Sequence, residues 1–159
     1  MSTSARQQRG YSLVELLTVM AIIGVLSLVT VPAFINFGKT ARLKNSLRQV
    51  SSDVRFARQR AVSTSRFVQV TVTTVSPAPG RYEIQESTDR GTTYTTVQTR
   101  ELQAFNFFGA AGTLTFRPNG TLVLPPGDTT ASLEVKSADT TVKNNYQIIV
   151  NMSGKVSTQ

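Results

Sequence analysis

Residues 16–38 form a run of 23 without a charged side chain, and one carboxylate, Glu15, stands at its start. As a helix rising 1.5 Å per residue the run is about 34 Å long, enough to cross the hydrocarbon core of a bilayer. A carboxylate drawn to the centre of a bilayer costs about 2.5–3.5 kcal/mol. An acid kept at the lip of such a run therefore points to a task. A cleaved secretory signal has a shorter apolar core, followed by a small-residue cleavage site. Here the run is longer, and the acid lies inside its start. A plain membrane anchor has no use for Glu15.

The 159 residues fit one domain plus an anchor. With residues 1–38 set aside, about 120 residues remain, enough for one modest core. There is no Cys and no His. Zinc, haem and iron–sulfur centres lose their usual ligands, and the Cys–His and Ser–His–Asp forms of nucleophilic catalysis are excluded. No cofactor, metal or enzymatic activity is expected. Stability must come from packing rather than disulfides.

The formal charge of +8 is concentrated in one segment. Residues 39–66 hold eight basic side chains and one acid, Asp53, whereas the chain from Phe67 onward carries seven of each sign. Leu43, Leu47, Val50, Val54, Ala57 and Ala61 recur at alternating spacings of four and three, the apolar stripe of an amphipathic helix. No Pro or Gly interrupts residues 39–66, so one long helix is expected from the apolar run to Arg66. Pro32 removes a backbone donor within it, and Gly24 weakens it by about 1 kcal/mol relative to Ala. After Arg66 the pattern turns to alternation and β-branching. Strands are expected at 67–72, 81–87, 94–102, 132–135 and 146–152, with a turn at Pro77-Ala78-Pro79-Gly80. A hairpin of 113–116 with 121–124 is expected around Asn119-Gly120, and a last turn at 153–156. The fold class is α+β: a long N-terminal helix packed against an antiparallel β-sheet domain. Glu83 and Glu86, three apart on a strand, face opposite sides and make no glycosidase-like pair.

The segment Gly10-Tyr11-Ser12-Leu13-Val14-Glu15-Leu16-Leu17, behind a leader carrying Arg6 and Arg9, resembles the processing motif of type IV pilins and type II secretion pseudopilins. Tyr11 replaces the Phe most common after the cut and keeps the aromatic ring. A basic helix followed by short strands, and the hairpin Thr115-Phe116-Arg117-Pro118-Asn119-Gly120, resemble the GspH/FimT branch of minor pilins and pseudopilins. That branch often ends in Gly-Arg and a further basic residue. Here the equivalent reads Gly154-Lys155-Val156-Ser157, with one charge.

The resemblance implies a pilin-like chain in three parts: a leader of residues 1–10, a transmembrane and assembly helix of 11–38, and a soluble domain of 39–159. The soluble part divides into an amphipathic helix, 39–66, and a sheet region, 67–159. A prepilin peptidase would cut between Gly10 and Tyr11 and methylate the new amine. Glu15 would neutralise the Tyr11 amine of a neighbouring subunit, since a buried charge needs an opposite partner. Gly24 and Pro32 would soften the helix as it leaves the lipid. The chain would sit in the bacterial inner membrane by a single pass, with its C-terminal domain in the periplasm. An assembly platform would then build it, with other pilins or pseudopilins, into a secretion pseudopilus or a pilus. The alternative is a pilus-associated receptor for DNA uptake.

Lys44, Arg48, Arg55, Arg58, Arg66 and Lys155 are the candidate contacts for nucleic acid or lipid. Phosphate tracking, subunit or anionic-lipid contact, and a solvated face with arginine stems packed on the sheet all stay open. The missing second basic residue after Gly154 and the neutral sheet region argue against DNA.

Overall fold

The computed structural model describes residues 11–74, 79–139 and 146–159, without the side chains of residues 29, 31–34, 36 and 74. The chain divides into two compact units, Met1–Phe37 and Gly38–Gln159. Helix α1 is Leu13–Thr64, so its residues 13–37 belong to the first unit and 38–64 to the second. The leader and Gly10 lie outside the described residues.

The helical part of the second unit is built on the stripe read from the sequence. Leu43, Leu47, Val50, Val54, Ala57 and Ala61 are all buried. The helix stops at Thr64, two residues before the expected end. Ser65 enters the left-handed region with φ 54°, and the Arg66 amide still reaches back to the Ala61 carbonyl at 3.2 Å. A helix cannot continue through a left-handed residue, so this turn sends the chain into the sheet.

The described strands are β1 (Phe67–Thr74), β2 (Arg81–Ser87), β3 (Thr95–Glu101), β4 (Asn106–Phe108), β5 (Thr113–Phe116), β6 (Leu122–Val123), β7 (Thr130–Ser137), β8 (Tyr146–Asn151) and β9 (Val156–Thr158). They form two antiparallel sheets, ordered β3-β2-β1-β5-β6 and β4-β7-β8-β9. The sequence pattern predicts one sheet region and announces neither β4 nor β9. Three-residue strands are too short to show an alternation, and each exists through its partner: Asn106 pairs with Ser137, and Ile149 with Ser157.

Alternation sets the inner faces. Val68 and Val70 of β1, Tyr82 and Ile84 of β2, Leu133 and Val135 of β7, and Ile148 and Val150 of β8 are buried with the helical stripe. Each such side chain contributes about 1.5–3 kcal/mol on leaving water. Tyr82 and Phe108 meet edge to face, centroids 5.7 Å apart at 84°, and so link β2 of the first sheet to β4 of the second. The loop before β4 is pinned to the helix. The buried Asn106 amide donates to Ser46 Oγ at 2.8 Å and to the Arg42 carbonyl at 3.3 Å, and the Gln103 amide donates to the same hydroxyl. The turn expected at 77–80 lies partly outside the described residues. At its described end, Gly80 receives the Leu102 amide and donates to Asn106.

The expected hairpin closes as read. Gly120 takes φ 77°, and Arg117 and Thr121 bond across the turn at 2.8 Å. β6 is shorter than expected, because the Leu122 amide leaves the hairpin to bond the Met152 carbonyl of the second sheet's last turn.

Candidate functional site

The first candidate site is the start of α1. Glu15 lies in the first helical turn, where a carboxylate complements the positive end of the helix dipole. Tyr11 is 87% exposed, and with Glu15, Leu16, Val19 and Met20 it lines a shallow hollow of about 270 Å³. Leucines, valines and isoleucines are exposed all around residues 13–28, with Glu15 as their one charge. The hydroxyls of Thr18, Ser27 and Thr30 bond back to carbonyls four residues earlier at 2.8–2.9 Å. Such a helix satisfies its own polar groups and presents apolar surface on every side, as a lipid-facing helix must. Gly24 has no heavy atom within 4 Å of a would-be Cβ, so packing does not demand glycine there. Pro32 is within the helix, and its side chain lies outside the described set. Among the described residues no helix is long and apolar enough to cross a membrane.

The second candidate site is the set of cations on the helix, which the structure divides into three environments. Arg66 lies beyond the helix and is tied, with Arg60, to Glu86. Each arginine contacts one carboxylate oxygen at 2.7 Å. Glu86 is buried on the inner face of β2, in register with Tyr82 and Ile84. The hydrogen bond from Arg66 holds its carboxyl below the usual range against the opposing effect of burial, with Arg60 adding to the effect. Sequence reasoning passed over this cluster. Its signal was an acid at an inward-facing strand position, which requires a cationic partner.

Arg58 sits at a junction of turns. Its Nε donates to the Gly120 carbonyl at 3.1 Å. Gly120 and Gly154 both have φ 77°. A Cβ on Gly154 would meet the Gly120 oxygen as well as Arg58 Nε at 2.6 Å and Cδ at 2.8 Å. Arg58 thus clasps the β5–β6 turn of one sheet and the β8–β9 turn of the other to the helix. Lys155, next in the chain, is exposed, and its amide bonds Asn151 Oδ1 at 2.8 Å.

Lys44, Arg48 and Arg55 are exposed and have no ion pair among the described residues. They share one open cleft of about 370 Å³ with Ser51, Tyr146 and Thr158. Ser51 is 5% exposed, and its Oγ has no hydrogen-bond partner among the described residues.

A further polar cluster lies under the helix. Tyr82 Oη donates to Asp53 Oδ2 at 2.6 Å and receives Gln49 Nε2 at 3.3 Å, with Arg100 Nε 3.7 Å from the same carboxylate. Burial, and then Asp53, push the Tyr82 phenol far above its ordinary pKa. This explains the one acid in the basic helix: Asp53 anchors β2 rather than balancing the exposed cations. Among the described residues no group of three or more carboxylates is placed to hold a metal.

Residues 5–31 match the family model for the prokaryotic N-terminal methylation motif, and residues 46–154 match that for type II transport protein GspH. Two crystal forms of the type IV minor pilin FimU from Pseudomonas aeruginosa share the fold. One has a TM-score of 0.59 at 19% identity, covering 77% of this chain and 92% of that one. The other has a TM-score of 0.53 at 19% identity, covering 73% and 91%. No curated protein sequence matches the chain.

Proposed function

Since the chain belongs to the family of type II transport protein GspH and carries the N-terminal methylation motif ahead of that domain, we propose that it is cut after Gly10, methylated on Tyr11 and assembled through its first helix. It is a structural subunit of the minor pilin and pseudopilin type. The observation that carries the finer reading is the surface of residues 13–28, apolar on every side and bearing one carboxylate in its first turn. Residues 16–38 then hold the chain in the inner membrane by one pass, with the second unit in the periplasm. On extraction into a filament, Glu15 meets the Tyr11 amine of the neighbour. The pairing is favourable because neither charge can stay solvated between packed apolar helices.

The prepilin peptidase and the assembly platform enter as the partners this route requires. Gly24 and Pro32 act as softening points on the way out of the lipid. A DNA receptor would need a continuous basic track. Arg58 and Arg66 are engaged within the fold, which leaves Lys44, Arg48 and Arg55 on one cleft and Lys155 on a turn.

The test has two steps. Intact-mass analysis of membrane-extracted protein should show loss of residues 1–10 and one added methyl group. Glu15→Val should leave that mass and the membrane fractionation unchanged while reducing crosslinks to neighbouring subunits severalfold. A retained leader in cells that process other pilins, or wild-type crosslinking of Glu15→Val, would overturn the assignment.

A further inference from the structure

The cleft beside the helix holds three cations that are unpaired among the described residues, over a buried hydroxyl that has no partner among them. Lys44, Arg48, Ser51 and Arg55 follow one another at spacings of four, three and four, so they form a single row on the helix. The row runs about 16 Å from Lys44 to Arg55. A lone phosphate or carboxylate is a point against a row of that length. An extended polyanion matches it, because alternate side chains of a strand recur about every 6.6 Å.

The opposite wall selects among polyanions. β9 ends its sheet, with β8 on one side and no strand of the described residues on the other. Gln147 and Gln159 exchange both main-chain bonds, at 2.9 and 3.0 Å. Antiparallel alternation then turns the amides and carbonyls of Val156 and Thr158 away from β8. They have no hydrogen-bond partner among the described residues. Nucleic acid has no use for a row of unpaired strand groups, whereas an added peptide strand does.

We propose that this cleft receives an extended acidic segment of another protein chain, which pairs with the open edge of β9 and sets alternate carboxylates against Lys44, Arg48 and Arg55. Ser51 Oγ–H donates to the same carboxylates from the floor. A second copy of this chain is a poor occupant, because each copy carries a formal charge of +8, and still +6 once Arg6 and Arg9 leave with residues 1–10. The occupant is therefore a different, acidic chain, and this contact helps to place the subunit beside a chain unlike itself. That last step rests on its being a filament subunit. The cleft chemistry does not.

The test uses the full chain in nonionic detergent. The probe is a labelled hexapeptide, acetyl-(Glu-Val)3-amide, read by fluorescence anisotropy, with acetyl-(Gln-Val)3-amide and a single-stranded oligonucleotide as comparisons. The acidic peptide should bind at least tenfold more tightly than the glutamine peptide. Arg48→Gln with Arg55→Gln, both exposed and unpaired, should lose at least tenfold with an unchanged melting curve. Hydrogen exchange at the Thr158 amide should slow when the acidic peptide is bound, a readout that simple charge attraction would not move. Tighter binding of the oligonucleotide, equal binding of the glutamine peptide, or unchanged exchange at Thr158 would overturn the proposal. A chain that enters filaments normally yet ignores the peptide sinks the cleft alone. A chain that binds the peptide but is never processed sinks the assembly route alone.

Discussion

Replacing Gly154 by Ala should be among the most costly single-methyl additions the domain can suffer. Two effects add. With φ at 77°, Gly154 occupies the left-handed region, where a residue with a Cβ loses about 1–2 kcal/mol. The new Cβ also points at the Gly120 carbonyl oxygen and at Arg58 Nε. The oxygen is backbone and cannot swing aside. Arg58 can, but only by giving up its bond to that carbonyl, and a hydrogen bond from a charged group contributes about 1.5–3 kcal/mol. The sum is about 2.5–5 kcal/mol. Gly127 supplies the internal control, since its φ is 97° and nothing lies within 4 Å of a would-be Cβ. Gly127→Ala should cost only the backbone part, about 1–2 kcal/mol. Urea titration of the full chain in nonionic detergent, followed by tyrosine near-ultraviolet dichroism, measures both. A second arm makes the clasp specific: in an Arg58→Ala background, Gly154→Ala should cost less than it does alone, because one of its two obstacles is gone. If Gly154→Ala and Gly127→Ala destabilise equally, the turns are not clasped against Arg58 and the reasoning fails.

Acid should weaken the domain partly through Glu86. Its folded pKa is held below the ordinary 4.5, so its contribution is present above about that pH and is lost as pH falls through the folded value. Glu86→Gln should therefore narrow its deficit to wild type between pH 7 and pH 3, and a pH-independent deficit would contradict this. Tyr82 predicts the opposite limb. With its phenol pushed up, stability is full below the ordinary value of 10.0 and falls as pH rises beyond it. Spectrophotometric titration of the folded chain should show the Tyr82 phenol still protonated where exposed tyrosines have ionised, and Tyr82→Phe should remove that late-titrating phenol. Asn106→Ala should cost about 1–3 kcal/mol, because it removes both bonds of the buried side-chain amide, to Ser46 Oγ and to the Arg42 carbonyl, and leaves only the Gln103 amide tying the loop before β4 to the helix. The urea midpoint reads this, and a change below half a kcal/mol would show the pin to be idle.

The local layers of this protein were legible in its sequence. The four-three stripe from Leu43 to Ala61 needs only the period of a helix, and every member is buried. The opposed faces of Glu83 and Glu86 need only the period of a strand, and the turn at Asn119-Gly120 needs only a residue that tolerates positive φ. The motif from Gly10 to Glu15 and the apolar run behind it are likewise contiguous. Tertiary structure alone decided the rest. β4 and β9 are three residues each and exist through partners elsewhere in the chain, so no period announces them. The basic segment reads as one block of like charge. Folding sorts it, because partners 20 to 62 positions away claim Arg58, Arg60 and Arg66 and leave Lys44, Arg48 and Arg55 to one cleft. Periodicity fixes which side of an element a residue faces. What waits on that side depends on which distant segment packs there, and only the folded chain holds that information.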